Sequence, residues 1–153
     1  MQLHGQEVIA RLESGLVIRG VNADFNPERP TFRVTPSGEG RGVELKVRDL
    51  KALFFLKRPP GSTDLRRAPG WIPPPDPMRD GKRIAVAFHD GETMVGYTLG
   101  YRREKLGFYL YPAAEDNPNE RIWICAAAVA AVKLGAAAEA AVDSREARRR
   151  EAA

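Results

Sequence analysis

An internal repeat limits the folds open to this chain more than any other feature. Residues 12–20, LESGLVIRG, match residues 88–96, FHDGETMVG, and both glycines of each stretch coincide at an offset of 76. Four further positions agree at that offset: Phe25 with Tyr101, Phe32 with Phe108, Val34 with Leu110 and Pro36 with Pro112. Self-similarity of this kind is typical of one structural unit used twice. We therefore expect a duplicated unit of roughly 50 residues, in about 6–58 and 82–135.

Each unit has the pattern of a small all-β barrel. Val8, Ala10 and Leu12 alternate along a first strand, and Ser14-Gly15 or Asp90-Gly91 supplies a hairpin turn. A glycine inside the second strand, Gly20 or Gly96, is typical of a bulge or a sharp bend that lets a short sheet curl. In the first unit we expect strands at 8–12, 16–25, 31–34, 43–47 and 52–56, with a helical turn at 48–51. In the second unit the later strands are expected at 107–111, 121–125 and 131–134, with the turn at 127–130.

Charge and proline divide the chain further. The whole chain has a formal net charge of +4. Residues 57–83 hold seven basic and three acidic side chains, which accounts for all of that charge, and they also hold seven of the twelve prolines. This composition predicts a basic, partly extended linker, interrupted by Trp71, which we expect to dock on a neighbouring barrel. The Ala- and Arg-rich end predicts a helical or disordered tail. The predicted domains are a first barrel at 1–58, a linker at 59–81, a second barrel at 82–135 and a tail at 136–153.

The motifs resemble those of known barrel proteins. Leu12-x-x-Gly15-x4-Gly20 followed by Asp24-Phe25-Asn26 resembles the first motif of Sm and LSm proteins, including bacterial Hfq, and the second unit repeats the glycine spacing. More closely, residues 8–134 resemble a tandem Sm-like domain of uncharacterised function from GC-rich, large-genome bacteria. The resemblance implies two five-stranded Sm-like or SH3-like barrels. The residues that form the uridine pocket of Sm proteins are only partly matched in this chain. Asp24 follows Gly20 by four residues where the Sm pattern has six, and the second unit has Gly100 at the position equivalent to Asp24.

Residues suited to catalysis or metal binding are scarce. Cys125 is the only cysteine and lies in an apolar run, which favours a buried side chain over a reactive thiolate. His4 and His89 are too few for most zinc sites. We therefore expect no enzyme activity, no metal and no cofactor. The chain also lacks an apolar run of the roughly 18 residues that a membrane span needs, and its start does not resemble a secretion signal, so we expect a cytoplasmic protein.

Two corresponding loops after the second strands are the conspicuous candidates for partner binding. Each places an aromatic ring near arginines, an arrangement that suits a peptide or a nucleic-acid base. The same rings could instead close the end of each barrel while the prolines stiffen the turn. The candidate partner-binding residues, with the linker tryptophan, are Phe25, Asn26, Arg29, Trp71, Tyr101, Arg102 and Arg103.

The favoured function is a non-catalytic binding or scaffold module, an adaptor that docks a protein partner through exposed barrel edges, linker or tail. Self-association is left open, since a duplicated barrel resembles a covalent dimer. The first alternative is single-stranded RNA binding of the Sm type, with a binding affinity that falls steeply with salt. The second is a cyclic dinucleotide effector of the PilZ kind, because Arg-x3-Arg spacing begins at Arg29, Arg79 and Arg145, although the second PilZ motif, D/N-x-S-x-x-G, is absent.

Overall fold

The computed structural model describes residues 5–36, 40–57, 76–114 and 116–140. Within them the chain is mostly β, as the sequence predicts, and every strand pair is antiparallel. The strands are β1 (Gln6–Leu12), β2 (Val17–Asn22), β3 (Thr31–Val34), β4 (Val43–Lys46), β5 (Leu50–Leu56), β6 (Lys82–Phe88), β7 (Thr93–Thr98), β8 (Gly107–Leu110), β9 (Asn119–Cys125) and β10 (Val129–Leu134). Short 3-10 turns, Val47–Asp49 and Ala126–Ala128, precede β5 and β10.

The element order is the same in β1–β5, here called the first half, and in β6–β10, the second half. Each half runs through a hairpin, two further strands, a 3-10 turn and a last strand. The expected third strand, 31–34, matches β3, while both 3-10 turns begin one residue earlier than expected. The hairpin turns use Gly15 and Gly91 at φ values of 94° and 91°, a region that suits glycine and disfavours side chains.

Two isolated bridges connect three sheets into one strand order. The sheets run β2-β1-β5-β9-β8, β10-β6-β7 and β3-β4. Val21 pairs with Thr35 beyond the end of β3, and Tyr97 pairs with Tyr111 beyond the end of β8. The strands therefore follow one another as β4-β3-β2-β1-β5-β9-β8-β7-β6-β10. Neither half closes into a barrel within the described residues, so the expected pair of closed five-stranded barrels is not confirmed.

The two halves are joined through β5 and β9, a pairing that we call the seam. Its register places Leu53 opposite Trp123 and Phe54 opposite Ile122. Trp123 and Cys125 of the second half belong to the core of the first, and Ala52 of the first half belongs to the core of the second. Each core thus needs side chains from the other half.

The mid-strand glycines allow two strands to approach closely. A Cβ atom at Gly20 would collide with the carbonyl oxygen of Thr35, and one at Gly96 would collide with that of Tyr111. Of the predicted bulge or sharp bend at Gly20, the bulge is absent, because the β1–β2 register passes through Gly20 without a shift. Gly20 lies where β2 approaches Thr35, the residue after β3, and Gly96 lies where β7 approaches Tyr111, the residue after β8. At both places one sheet meets the next.

The linker and tail lie largely outside the described residues. Trp71 and residues 58–75 fall there, as do 141–153. The end of the predicted linker forms a short helix, α1 (Pro77–Asp80), where an extended chain was expected. Its cause is local, because the Asp76 side chain accepts a hydrogen bond from the N–H of Met78 and Pro77 occupies the first turn. Residues 136–140 are helical, and Ala138 is fully buried.

Candidate interaction surfaces

The loop after β2 is held by a buried asparagine. Asn22 donates from Nδ2 to Asp24 Oδ1 at 2.8 Å and to the carbonyl oxygen of Arg33 at 2.7 Å. Its Oδ1 accepts the N–H of Phe25 at 2.9 Å. Asp24 also accepts the N–H of Arg33 at 3.3 Å. Both polar side chains are therefore engaged in shaping the loop.

Phe25, a predicted partner-binding residue, is half-buried and packs inward. Its ring lies edge-on to Phe32, Phe55 and Trp123, with centroid distances of 5.2, 5.8 and 5.4 Å. Such aromatic pairs add roughly 0.5–1.5 kcal/mol each beyond area burial. These contacts favour the structural interpretation of Phe25, in which the ring covers the first core at the seam.

The two remaining candidate residues of this loop are Asn26, which forms a turn, and Arg29, which is an exposed cation. Asn26 Oδ1 accepts the N–H of Glu28 at 2.9 Å, and the Asn26 carbonyl accepts the N–H of Arg29 at 2.9 Å. This is an Asx-type turn that fixes the chain after Phe25. The side chain of Arg29 is exposed.

The corresponding loop of the second half is more exposed and more basic. Tyr101 is half-buried, with its ring edge-on to Phe108 at a centroid distance of 4.9 Å. Arg102, Arg103 and Lys105 are exposed, and the N–H of Lys105 donates to the Arg102 carbonyl at 3.2 Å. The loop thus offers three cations beside the single acid Glu104, and its aromatic ring is already in use.

A charge cluster at the seam was missed by sequence reasoning. Lys51 is 6% exposed in its side chain, and its Nζ lies 2.5 Å from Asp90 and 3.1 Å from Glu92. Arg11 donates twice to Glu92, at 3.0 Å each, so that two cations of the first half hold two acids of the second. Hydrogen bonding to Lys51 lowers the pKa of Asp90, and hydrogen bonding to Arg11 lowers that of Glu92.

A second polar contact lies further along the seam. Arg121 of β9 stacks over Phe55, with its guanidinium carbon 4.0 Å from the ring centroid, and over Tyr109 at 5.6 Å. Gln6 donates from Nε2 to the Leu56 carbonyl at 2.9 Å and also to Glu120 of the second half. The charged groups at the seam are therefore bound across it, which leaves few of them free for a ligand.

The outermost strands, β4 and β10, are called here the free edges. Within the described part of the chain β4 pairs with β3 and β10 with β6, and neither has a neighbour on its other side. Val43 on β4 is 40% exposed and Leu134 on β10 is 37% exposed. Unpaired backbone groups beside exposed apolar side chains are suited to receive another strand.

The structure places two of the three groups considered for catalysis or metal binding, Cys125 and His89. Cys125 is fully buried, and burial raises the pKa of its thiol, which disfavours the thiolate. His89 is exposed at the hairpin, and its backbone N–H donates to the Ala128 carbonyl at 3.0 Å. Among the described residues no group of three or more His, Cys, Asp or Glu could hold a metal ion. His4 lies outside those residues.

These features define a mostly β, antiparallel protein whose two halves share one seam and whose strand order ends in two free edges. The chain belongs to a family of unknown function, DUF6982, whose family model matches residues 4–136. No curated protein and no solved structure matches it. None of the helices in the described ranges is long and apolar enough to cross a membrane.

Proposed function

We propose that this protein is a non-catalytic scaffold that binds a protein partner by strand addition at its free edges. We also propose that the two halves are a duplicated Sm-like unit joined edge to edge. The repeated glycines, the repeated element order and the equivalent bridges of the two halves support the duplication. The single observation that carries the function is that β4 and β10, at the two ends of the strand order, have no neighbour on their outer sides among the described residues.

Strand addition fits these edges for two reasons. The backbone of an added strand would satisfy donors and acceptors on the outer side of β4 or β10, which gives affinity largely independent of sequence. Val43 and Leu134 would lose exposed apolar area, which gives a preference for a partner with apolar side chains in register. The seam is an example of the same contact within the chain.

Single-stranded RNA binding is the second candidate, favoured by the exposed cations Arg102, Arg103 and Lys105. Three cations on one loop can contact a few phosphates, with a binding affinity that falls as salt is added. Stacking on the neighbouring ring is less favourable, because Tyr101 already packs against Phe108. The protein-binding proposal is therefore preferred.

Site-specific photo-crosslinking tests the proposal. A photoreactive side chain is placed at position 43 or 134 in the full-length protein and irradiated in lysate of its native host. We expect protein crosslinks from both edge positions. The matched control is position 7, because the side chain of Glu7 is also exposed, at 49%, but its strand β1 pairs with β2 on one side and β5 on the other.

A contrary result has a defined form. The proposal is wrong if neither edge position crosslinks to protein above the level of position 7. Fluorescence anisotropy with short single-stranded RNA at low and near-physiological salt then tests the alternative. Saturable binding that weakens with salt and is lost on Arg102→Ala with Arg103→Ala would establish the nucleic-acid function instead.

A further inference from the structure

We infer that the loop between β7 and β8, residues 99–106 and here called the basic loop, binds the surface of a membrane that contains anionic lipids. The inference goes beyond the proposed function, because it concerns this loop and not the free edges. Its basis is a pair of exposed leucines on either side of a group of exposed cations. Such a contact needs no helix that spans the membrane, because side chains that reach only the headgroup region are enough.

The basic loop lies open to solvent. All of its residues except Tyr101 are exposed, and the Tyr101 ring fixes the loop to the body of the second half by packing against Phe108. A Cβ atom added at Gly100 would meet no atom within 4 Å. The N–H of Lys105 donates to the Arg102 carbonyl at 3.2 Å, which closes a turn with a cation at each end. The loop therefore presents its cations on an accessible turn.

Exposed apolar side chains flank this turn. Leu99 is 37% exposed and Leu106 is 49% exposed. Met78 of α1 is 58% exposed and lines one open cavity together with Leu99, so it extends the apolar surface on that side of the loop. Apolar side chains gain free energy when they leave water, and the boundary between lipid headgroups and acyl chains receives them.

The equivalent loop of the first half has neither property. At the offset of 76, Ala23 and Pro30 stand where the basic loop has its leucines, and Asn26 and Pro27 stand where it has its arginines. The first loop holds two acids and one cation, a net charge of −1, whereas the basic loop holds three cations and one acid, a net charge of +2. Both loops have the same length, so the two copies differ here in surface chemistry and not in the path of the chain.

An anionic lipid surface accounts for the leucines better than single-stranded RNA does. The negative groups of either ligand would attract the three cations. Base stacking needs a free aromatic ring, and the Tyr101 ring is already packed against Phe108. Leucines add nothing to a contact with phosphates, but they enter the apolar boundary of a bilayer. Cations flanked by leucines therefore favour lipid as the ligand of this loop.

The expected contact is reversible and depends on salt. Each cation near an anionic membrane surface strengthens binding roughly fivefold, and this attraction falls off within a Debye length. The net charge of the basic loop and its two leucines are therefore enough for a transient contact and not for a permanent anchor.

Co-sedimentation with lipid vesicles tests the inference. The full-length protein is mixed with vesicles of phosphatidylcholine alone or with about one third phosphatidylserine, at low and near-physiological salt. We expect binding to the anionic vesicles that is at least about tenfold stronger than to the neutral ones and that weakens with salt. Arg102→Ala with Arg103→Ala should weaken it at least about tenfold, and Leu106→Ser roughly fivefold.

The matched control for the leucine is Leu16→Ser. Leu16 is 55% exposed at the hairpin of the first half, so this change removes a similar exposed side chain away from the basic loop. It should leave vesicle binding unchanged. The inference is overturned if the wild type does not bind anionic vesicles at low salt, or if Leu16→Ser and Leu106→Ser weaken binding equally. Saturable binding to single-stranded RNA without binding to vesicles would also overturn it and assign the loop to nucleic acid.

A dye on the loop tests whether the leucine enters the bilayer. An environment-sensitive dye is attached to full-length Leu106→Cys, and to Leu16→Cys as its control. The native Cys125 is fully buried, so the introduced thiol is the accessible one among the described residues. We expect anionic vesicles to shift the emission of the dye at position 106 to the blue and to leave that at position 16 unchanged. No shift at position 106, or equal shifts at both positions, would overturn the inference.

This inference and the proposed function fail separately. Protein crosslinks from positions 43 and 134 test the free edges, whereas vesicle binding tests the basic loop. Loss of vesicle binding in Arg102→Ala with Arg103→Ala should leave the crosslinks at the free edges unchanged.

Discussion

The seam and the free edges use equivalent strands but differ in what covers them. At the seam, β5 and β9 are buried along most of their length and carry aromatic side chains into both cores. At the free edges, β4 and β10 are mostly exposed and carry Glu44, Lys46 and Lys133. Equivalent strands of a repeated unit can therefore be buried in a pairing within the chain at one place and stay exposed at another. The difference lies in a few side chains, while the strand topology is the same.

The largest effect is expected from Trp123→Ala, which removes the side chain that crosses the seam. Trp123 is 1% exposed and packs in the first core, although it belongs to the second half. We expect a loss of about 3–5 kcal/mol in the free energy of unfolding, measured by urea denaturation and far-UV circular dichroism. Both halves should unfold in one transition, because each core contains residues of the other.

The control for this prediction is Val17→Ala at an exposed strand position, with an expected change within about 0.5 kcal/mol. A loss below about 1 kcal/mol for Trp123→Ala, or two separate transitions in the wild type, would show that the halves are independent and that the seam is weak.

Gly20→Ala and Gly96→Ala test whether the two halves are built alike. Each new methyl group would collide with a backbone carbonyl, of Thr35 or Tyr111, that has little freedom to move. We expect each variant to lose roughly 1–3 kcal/mol in thermal or urea unfolding, and the two losses to be similar. Gly40→Ala and Gly100→Ala are matched controls, because a Cβ atom there meets no atom within 4 Å. A loss confined to one of the two halves would contradict the structural equivalence on which the proposed duplication rests.

Phe25→Ala and Tyr101→Ala compare equivalent rings beside the seam and away from it. Phe25 makes three edge-on aromatic contacts, including Trp123, whereas Tyr101 makes one, with Phe108. Two additional contacts predict that Phe25→Ala costs roughly 1–3 kcal/mol more than Tyr101→Ala in urea unfolding. Equal losses would mean that the seam adds nothing to the loop of the first half.

Sequence patterns predicted the strands of each half better than the way the halves meet. The hairpin glycines, the alternation in β1 and the bounds of β3 depend on local residues, so they could be read directly. The seam depends on residues far apart in the sequence, such as Leu53 and Trp123, which are 70 positions apart. The sequence does contain one indication of the seam. Leu53-Phe54-Phe55 and Ile122-Trp123-Ile124 are continuous apolar runs, which are typical of strands covered on both faces.

The candidate site was predicted only in part for a related reason. The loops after β2 and β7 could be located from the repeat, and Arg29, Arg102 and Arg103 are exposed as a binding role requires. The inward packing of Phe25 was one of the two roles that the sequence allowed, but its contact with Trp123 could not be foreseen, because Trp123 comes from the other half. Lys51, Asp90 and Glu92 escaped notice since each looks ordinary alone, a lysine in a strand and two acids at a hairpin.

The smallest effect is expected from Glu92→Gln, which weakens the charge cluster while keeping its shape. Glu92 accepts two hydrogen bonds from Arg11 and one from Lys51, and this lowers its pKa in the folded protein. Its contribution is therefore fully present above the ordinary glutamate pKa of about 4.3 and is lost as the pH falls through the lower folded value. We expect a loss of about 1 kcal/mol at pH 7 in urea unfolding. The wild-type and variant stabilities should converge as the pH is lowered below the folded pKa of Glu92, which lies under the ordinary glutamate value. Glu7→Gln, in the exposed pair with Arg19, should change stability by less than about 0.5 kcal/mol at either pH. A Glu92→Gln loss that stays constant down to low pH would show that side-chain shape at the seam, and not charge, is what Glu92 contributes.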